Sequence, residues 1–92
     1  MKIYKYNIGS MPGVETIHIP KGSLILSVKV QRNLIVLYAM VDPSEIRVDE
    51  YEVETVPTGE DFEHKTGFYY LDTVLLDEGN YVLHVFLKLN DD

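Results

Sequence analysis

Along most of this chain apolar residues recur at every second position. Tyr4, Tyr6 and Ile8 alternate with Lys5 and Asn7, and Ile17 and Ile19 alternate with Thr16 and His18. Leu24, Leu26, Val28 and Val30 alternate with Ile25, Ser27, Lys29 and Gln31. A period of two is that of a strand burying one face. Leu34 to Val41 is apolar at every position, which predicts a central strand covered on both faces. Arg47 to Val56 is β-rich but acidic, while Phe68 to Leu76 and Tyr81 to Leu89 are rich in aromatic and β-branched residues, as strands prefer. The pattern predicts an all-β fold of about seven antiparallel strands, a small β-sandwich or barrel, with residues 1–92 as one domain. The expected core is Leu24, Leu26, Val28, Val30, Val36, Tyr38, Met40, Val74, Leu83 and Val85.

Turn residues separate these segments. Pro12-Gly13, Pro20-Lys21-Gly22-Ser23 and Asp42-Pro43-Ser44 end strands. Arg32-Asn33 and Asp77-Glu78-Gly79-Asn80 fit hairpin turns, since Asn tolerates the left-handed region. The longest break runs from Pro57 to Gly67. It is polar apart from Phe62 and is longer than the usual connection. Loops of that length are either connectors or sites, and Phe62 is the residue expected to anchor this one.

Composition narrows the classes. The chain has 92 residues, 46% of them hydrophobic and 25% charged, the balance of an ordinary globular domain. Without cysteine there is no disulfide framework, thiolate zinc site or cysteine nucleophile. Lys2 and Lys5 interrupt the start before any apolar leader forms, and no apolar run approaches the roughly 20 residues of a membrane helix. A cytoplasmic location is therefore expected. The net charge of −7 repels phosphate backbones and anionic lipid, so neither nucleic acid nor membrane is an expected partner.

The charge is also unevenly placed. Residues 1–41 carry five cations against Glu15, whereas residues 42–63 carry nine acids against Arg47. Glu50, Glu52 and Glu54 fall on one face of a strand, about 7 Å apart along it. Glu60, Asp61 and Glu63 on the long loop extend the stripe. One reading is an edge strand guarded by charge. The other is an acidic surface for a basic partner, such as a nucleic-acid-binding enzyme whose groove it occupies in place of phosphates. Tyr69 and Tyr70 point to opposite faces, and Tyr69 is expected to join the partner surface. With Phe68 and Tyr81, Tyr69 is also the expected contact of a homodimer.

Catalytic chemistry finds no set of residues. No serine lies in a G-x-S-x-G elbow and no glycine-rich phosphate loop occurs. Glu60, Asp61, Glu63 and His64 carry ligand-type side chains but lack the spacing of a calcium loop or a second histidine for zinc. His84 shares a strand face with Val82 and Phe86 and is expected to be a hydrogen-bonded packing residue, with Asp72 its candidate partner across the last hairpin. No cofactor or metal is expected. The sequence reads as a non-enzymatic protein that binds a macromolecule through its acidic surface, with inhibition of a defence or nucleic-acid enzyme as the expected consequence. An assembly module acting by homo-oligomerisation and a small-ligand-binding domain are the alternatives, the last requiring a concave pocket with convergent polar groups.

Several blocks carry a resemblance. They are Ile3-Tyr4-Lys5-Tyr6, Thr16 to Gly22, Ile25 to Gln31, Leu37 to Pro43, Thr58-Gly59, Tyr70-Leu71-Asp72-Thr73-Val74 and Val82-Leu83-His84-Val85-Phe86. In order and spacing they resemble a small all-β family of unknown function found in phage, prophage and bacterial genomes. The resemblance implies a compact all-β protein of mobile elements, with the host cytoplasm as its location and a host macromolecule as its partner, and implies no activity.

Overall fold

The structure, a computed structural model, describes residues 1–10 and 12–90. Its seven antiparallel strands are β1 (Lys2–Gly9), β2 (Gly13–Pro20), β3 (Leu24–Gln31), β4 (Leu34–Val41), β5 (Val48–Pro57), β6 (Tyr69–Leu76) and β7 (Tyr81–Leu89). They form two sheets, one ordered β1-β4-β3 and the other β2-β5-β7-β6. Of the two expected all-β architectures, this is the sandwich. The extents of 41 × 30 × 15 Å suit two sheets about 10 Å apart with no third layer.

The core lies between the sheets. From β4 it takes Ile35, Leu37, Ala39 and Val41, each fully buried. These pack with Ile8, Ile19, Val28, Val53, Leu83, Val85 and Leu87 in one cluster. The expected core members Val36, Tyr38 and Met40 occupy the other parity. They point to the outer face of the three-stranded sheet, beside Asn7, Lys5 and Ile3 in register. Among the described residues no layer covers that face, so β4 is not sandwiched on both sides. Val36 is nevertheless buried, flanked in register by Asn7 and Lys29.

In β3 a bulge between Ile25 and Ser27 shifts the register. A bulge adds one residue and reverses the alternation beyond it. Ile25 and Val28 therefore both face inward, opposite Ala39 and Leu37. Leu24 and Leu26, expected in the core, are 55% and 42% exposed. Of the three residues expected at a dimer interface, Phe68 is buried within its own chain and Tyr81 packs against the core. Only Tyr69 is open.

The β3–β4 hairpin turns on Arg32 and Asn33, with φ of 53° and 61°. Positive φ at both central residues is the type I′ turn that matches strand twist. Arg is a poor residue there, because its Cβ crowds the backbone in the left-handed region. Asn33 suits it, and its Oδ1 also accepts the Asp77 N–H at 2.7 Å, tying this hairpin to the β6–β7 turn. Arg32→Asn should therefore stabilise the fold by about 0.5–1 kcal/mol, raising Tm by a few degrees. Asn33→Ala should lower it by about 1–2 kcal/mol, since it loses both conformation and bond. Equal melting curves for the two variants would contradict this. Among the described residues no helix is long and apolar enough to cross a membrane.

Candidate functional site

The outer face of the four-stranded sheet is built by cross-strand register. Glu54 lies opposite Phe86, Val56 opposite His84, and Glu52 opposite Lys88. On the other side of β7, Tyr70 lies opposite Phe86 and Thr73 opposite His84. Residues directly opposed in a sheet point the same way. Tyr70 and Thr73 are three positions apart and would alternate to opposite faces in a regular strand. A bulge between Tyr70 and Asp72 brings both to this one.

The segment between β5 and β6 folds back over that face. The Phe62 ring packs on Phe86 with centroids 5.1 Å apart, and the His64 ring lies 5.9 Å from Phe86. His64 Nε2 is 3.0 Å from the Phe68 carbonyl oxygen, close enough to donate to it. Lys65 reaches Glu54 at 4.0 Å, and the Lys88 ammonium sits 5.8 Å from the centre of the Phe68 ring. Phe62 is thus the expected anchor, although it stays 43% exposed.

Between loop and sheet lies a cavity of about 250 Å³, with Phe62, Tyr70 and Phe86 as aromatic walls and Thr58, Glu60 and His84 as its polar groups. The edge of the Tyr70 ring meets Phe86 at 5.9 Å. A chain of hydrogen bonds runs beneath it. Tyr70 Oη is 2.6 Å from Thr73 Oγ1, Thr73 Oγ1 is 2.9 Å from His84 Nδ1, and His84 Nε2 is 2.7 Å from Thr58 Oγ1. Both imidazole nitrogens are therefore engaged by hydroxyls. His84 is hydrogen-bonded as expected, but to Thr58 and Thr73. Asp72 instead accepts the Thr73 N–H.

The acids that the sequence singled out are placed as follows. Glu50, Glu52 and Glu54 share the outer face, but β5 lies between β2 and β7 and is no edge strand. Three like charges on an interior strand are tolerated because each has a neighbour. Asn90 Nδ2 donates to Glu50 at 2.7 Å and to Glu52 at 3.3 Å, His18 lies 3.2 Å from Glu50, and Lys65 serves Glu54. The bonds from Asn90 and then His18 hold the Glu50 carboxyl below the ordinary carboxylate range. That contribution to stability is present above the ordinary pKa and is lost as pH falls through the lowered one. Glu60, Asp61 and Glu63 are exposed on the loop. They border an open hollow of about 480 Å³ that also touches Glu54 and Phe62. Among the described residues, no three carboxylates or imidazoles converge as a metal-ligand set. Tyr69 is exposed, but its register partner is the inward-facing Leu87, so it stands on the opposite face from the acids. The tyrosine of the site is Tyr70.

Thr58, Tyr70, Thr73 and Phe86 are therefore site residues that charge and parity did not reveal. One signal did point to them: Thr58-Gly59, Tyr70 to Val74 and Val82 to Phe86 are blocks of the family resemblance, and the fold gathers them around one cavity. The class defined by these features is a two-sheet all-β protein with an aromatic cavity on its acidic sheet. The chain belongs to the family described as a domain of unknown function (DUF7352), whose model matches residues 1–92. Comparisons with curated proteins and with solved structures find no match.

Proposed function

We propose that this is a non-enzymatic binding protein that takes a basic macromolecular partner on the outer face of its four-stranded sheet. The observation that carries the reading is the separation of charge by sheet. The three-stranded sheet holds Lys2, Lys5 and Lys29 and no acid. On the outer face of the other, Glu50, Glu52 and Glu54 stand against Lys88, whereas Glu15, Asp49 and Asp72 pair in register with the inward-facing Val53, Ile19 and Val85 and belong to the opposite face. The loop that covers the outer face adds Glu60, Asp61 and Glu63 around a concave, aromatic-walled centre. Such a face attracts and orients a basic partner. The resemblance to phage and prophage proteins supports a host macromolecule as that partner, with inhibition of a nucleic-acid enzyme as its consequence.

A lysine- and arginine-rich peptide is the direct probe, with a glycine–serine peptide as control. Binding should weaken about tenfold or more between about 0.05 and 0.5 M salt, as screening shortens from well over 10 Å to a few ångströms. Neutralising Glu60, Asp61 and Glu63 to Gln, Asn and Gln should weaken it similarly while leaving the melting curve unchanged, since these side chains are exposed. Glutamine also serves better than lysine at Glu52 and Glu54, where a new cation would face Lys88 or Lys65. Salt-independent binding, or a neutral-loop variant that binds as well as the parent, would refute the reading.

A further inference from the structure

We infer that the cavity formed by Phe62, Tyr70 and Phe86 receives the guanidinium of an arginine side chain. This rests on the basic-partner reading and names the group that the partner inserts. The cavity holds about 250 Å³, below the size usual for drug-like ligands and suited to the end of one long side chain. Its walls are aromatic, and a planar, weakly hydrated cation stacks on such rings better than a compact ammonium does. Glu60 stands at the same cavity, offering a carboxylate to the guanidinium fork. The chain's own nearby cations are already committed, Lys65 to Glu54 and Lys88 over Phe68. Lys88 shows that cation and ring already pair on this face. An anionic ligand would meet Glu60 in the cavity and Glu54, Asp61 and Glu63 beside it.

The hydrogen-bond chain beneath the cavity adapts to such a donor. A neutral imidazole has one N–H and one lone pair. With the proton on Nδ1, His84 donates to Thr73 and accepts from the Thr58 hydroxyl. Both lone pairs of Thr58 Oγ1 are then left for guanidinium N–H groups. With the proton on Nε2, Thr58 Oγ1 accepts from His84 and keeps one lone pair, with its own hydrogen left over. A bound guanidinium therefore favours the Nδ1–H tautomer.

Two matched titrations test this. In the first, N-acetylargininamide, its lysine counterpart, the neutral citrulline isostere and adenosine are added to the isotope-labelled protein. The arginine probe should shift the signals of Thr58, Phe62 and Phe86 and move the His84 nitrogen shifts toward the Nδ1–H form. The lysine and citrulline probes should bind about tenfold more weakly or worse. Phe86→Leu should abolish the response, and Glu60→Gln, at an exposed loop position that folding does not depend on, should weaken it several-fold. Citrulline or adenosine matching arginine, no response to arginine at millimolar concentration, or an unchanged response in Glu60→Gln would each overturn the inference. In the second, an all-arginine and an all-lysine peptide of equal length are compared. A preference of about tenfold for arginine supports the cavity. Equal, salt-sensitive binding overturns the cavity assignment and leaves the basic-partner reading standing. Failure of both peptides to bind overturns that reading itself.

Discussion

Val28→Asp should yield a chain that does not fold, whereas Leu26→Asp should fold with nearly the parent's stability. The two positions share a parity on β3 and look equivalent in the sequence. Val28 is 1% exposed and packs in the cluster between the sheets, while Leu26 is 42% exposed. An unpaired carboxylate at Val28 has no cation within the core, and burying it costs several kcal/mol even after it takes up a proton. A domain of this size has about 5–10 kcal/mol of stability, so one such defect removes most of it. At Leu26 the new carboxylate stays in water, and the change should be within about 1 kcal/mol. Far-UV circular dichroism and thermal melting of the two variants check this. If both unfold or both fold, the bulge between Ile25 and Ser27 does not set the orientation of β3 as described.

That pair also shows which parts of the architecture were legible. Alternation located the strands well, because a half-buried strand imposes a period of two on its residues. It could not choose the inward parity of β4, where Ile35, Leu37, Ala39 and Val41 are no more apolar as a set than Val36, Tyr38 and Met40. The choice is made by neighbours: Tyr4 and Tyr6 of β1 pair with Ala39 and Leu37, while Lys5 pairs with Tyr38. Bulges are invisible to alternation and reverse it, which misplaced Leu24 and Leu26 and concealed that Tyr70 and Thr73 share a face. The acids of β5 looked like edge protection because an interior strand with three aligned carboxylates is unfavourable in isolation. His18, Lys65 and Asn90, from three different parts of the chain, remove that objection.

The site was less legible because its members are assembled by topology. Thr58 and His84 are 26 residues apart and Thr73 and His84 are 11 apart. They meet only because β7 lies between β5 and β6, an order that local pattern does not encode. Charge drew attention to Glu50, Glu52 and Glu54, yet those side chains are largely occupied by their own chain. The cavity a few residues further along the same strands is where aromatic surface and hydrogen-bonding groups remain open.

The largest effect at that cavity should come from removing its central imidazole. His84→Leu breaks the side-chain bonds to Thr58 and Thr73 together, leaving the loop's first residue tied to the sheet only by the Thr58 N–H to the Val82 carbonyl, at 3.3 Å. Each bond contributes about 1 kcal/mol, so the loss is about 2 kcal/mol, or roughly 10 °C in Tm for a domain of this length. The damage should be concentrated in the loop, because the core beneath it is formed by Leu83, Val85 and Leu87 on the opposite face of β7. Limited proteolysis between Thr58 and Gly67 should accelerate well before the strands lose protection from hydrogen exchange. Thr58→Val removes one bond and should produce about half the loss in stability with much of the same loop exposure. Tyr70→Phe removes only the far end of the chain and should leave the loop closed. His84→Gln, which retains a donor and an acceptor on a planar amide, should recover part of the protection that His84→Leu loses. If His84→Leu and His84→Gln melt together and neither exposes the loop, the ring contacts of Phe62 and His64 with Phe86 and the Lys65–Glu54 pair hold the segment down. The hydroxyl–imidazole chain would then not be what keeps the cavity in shape.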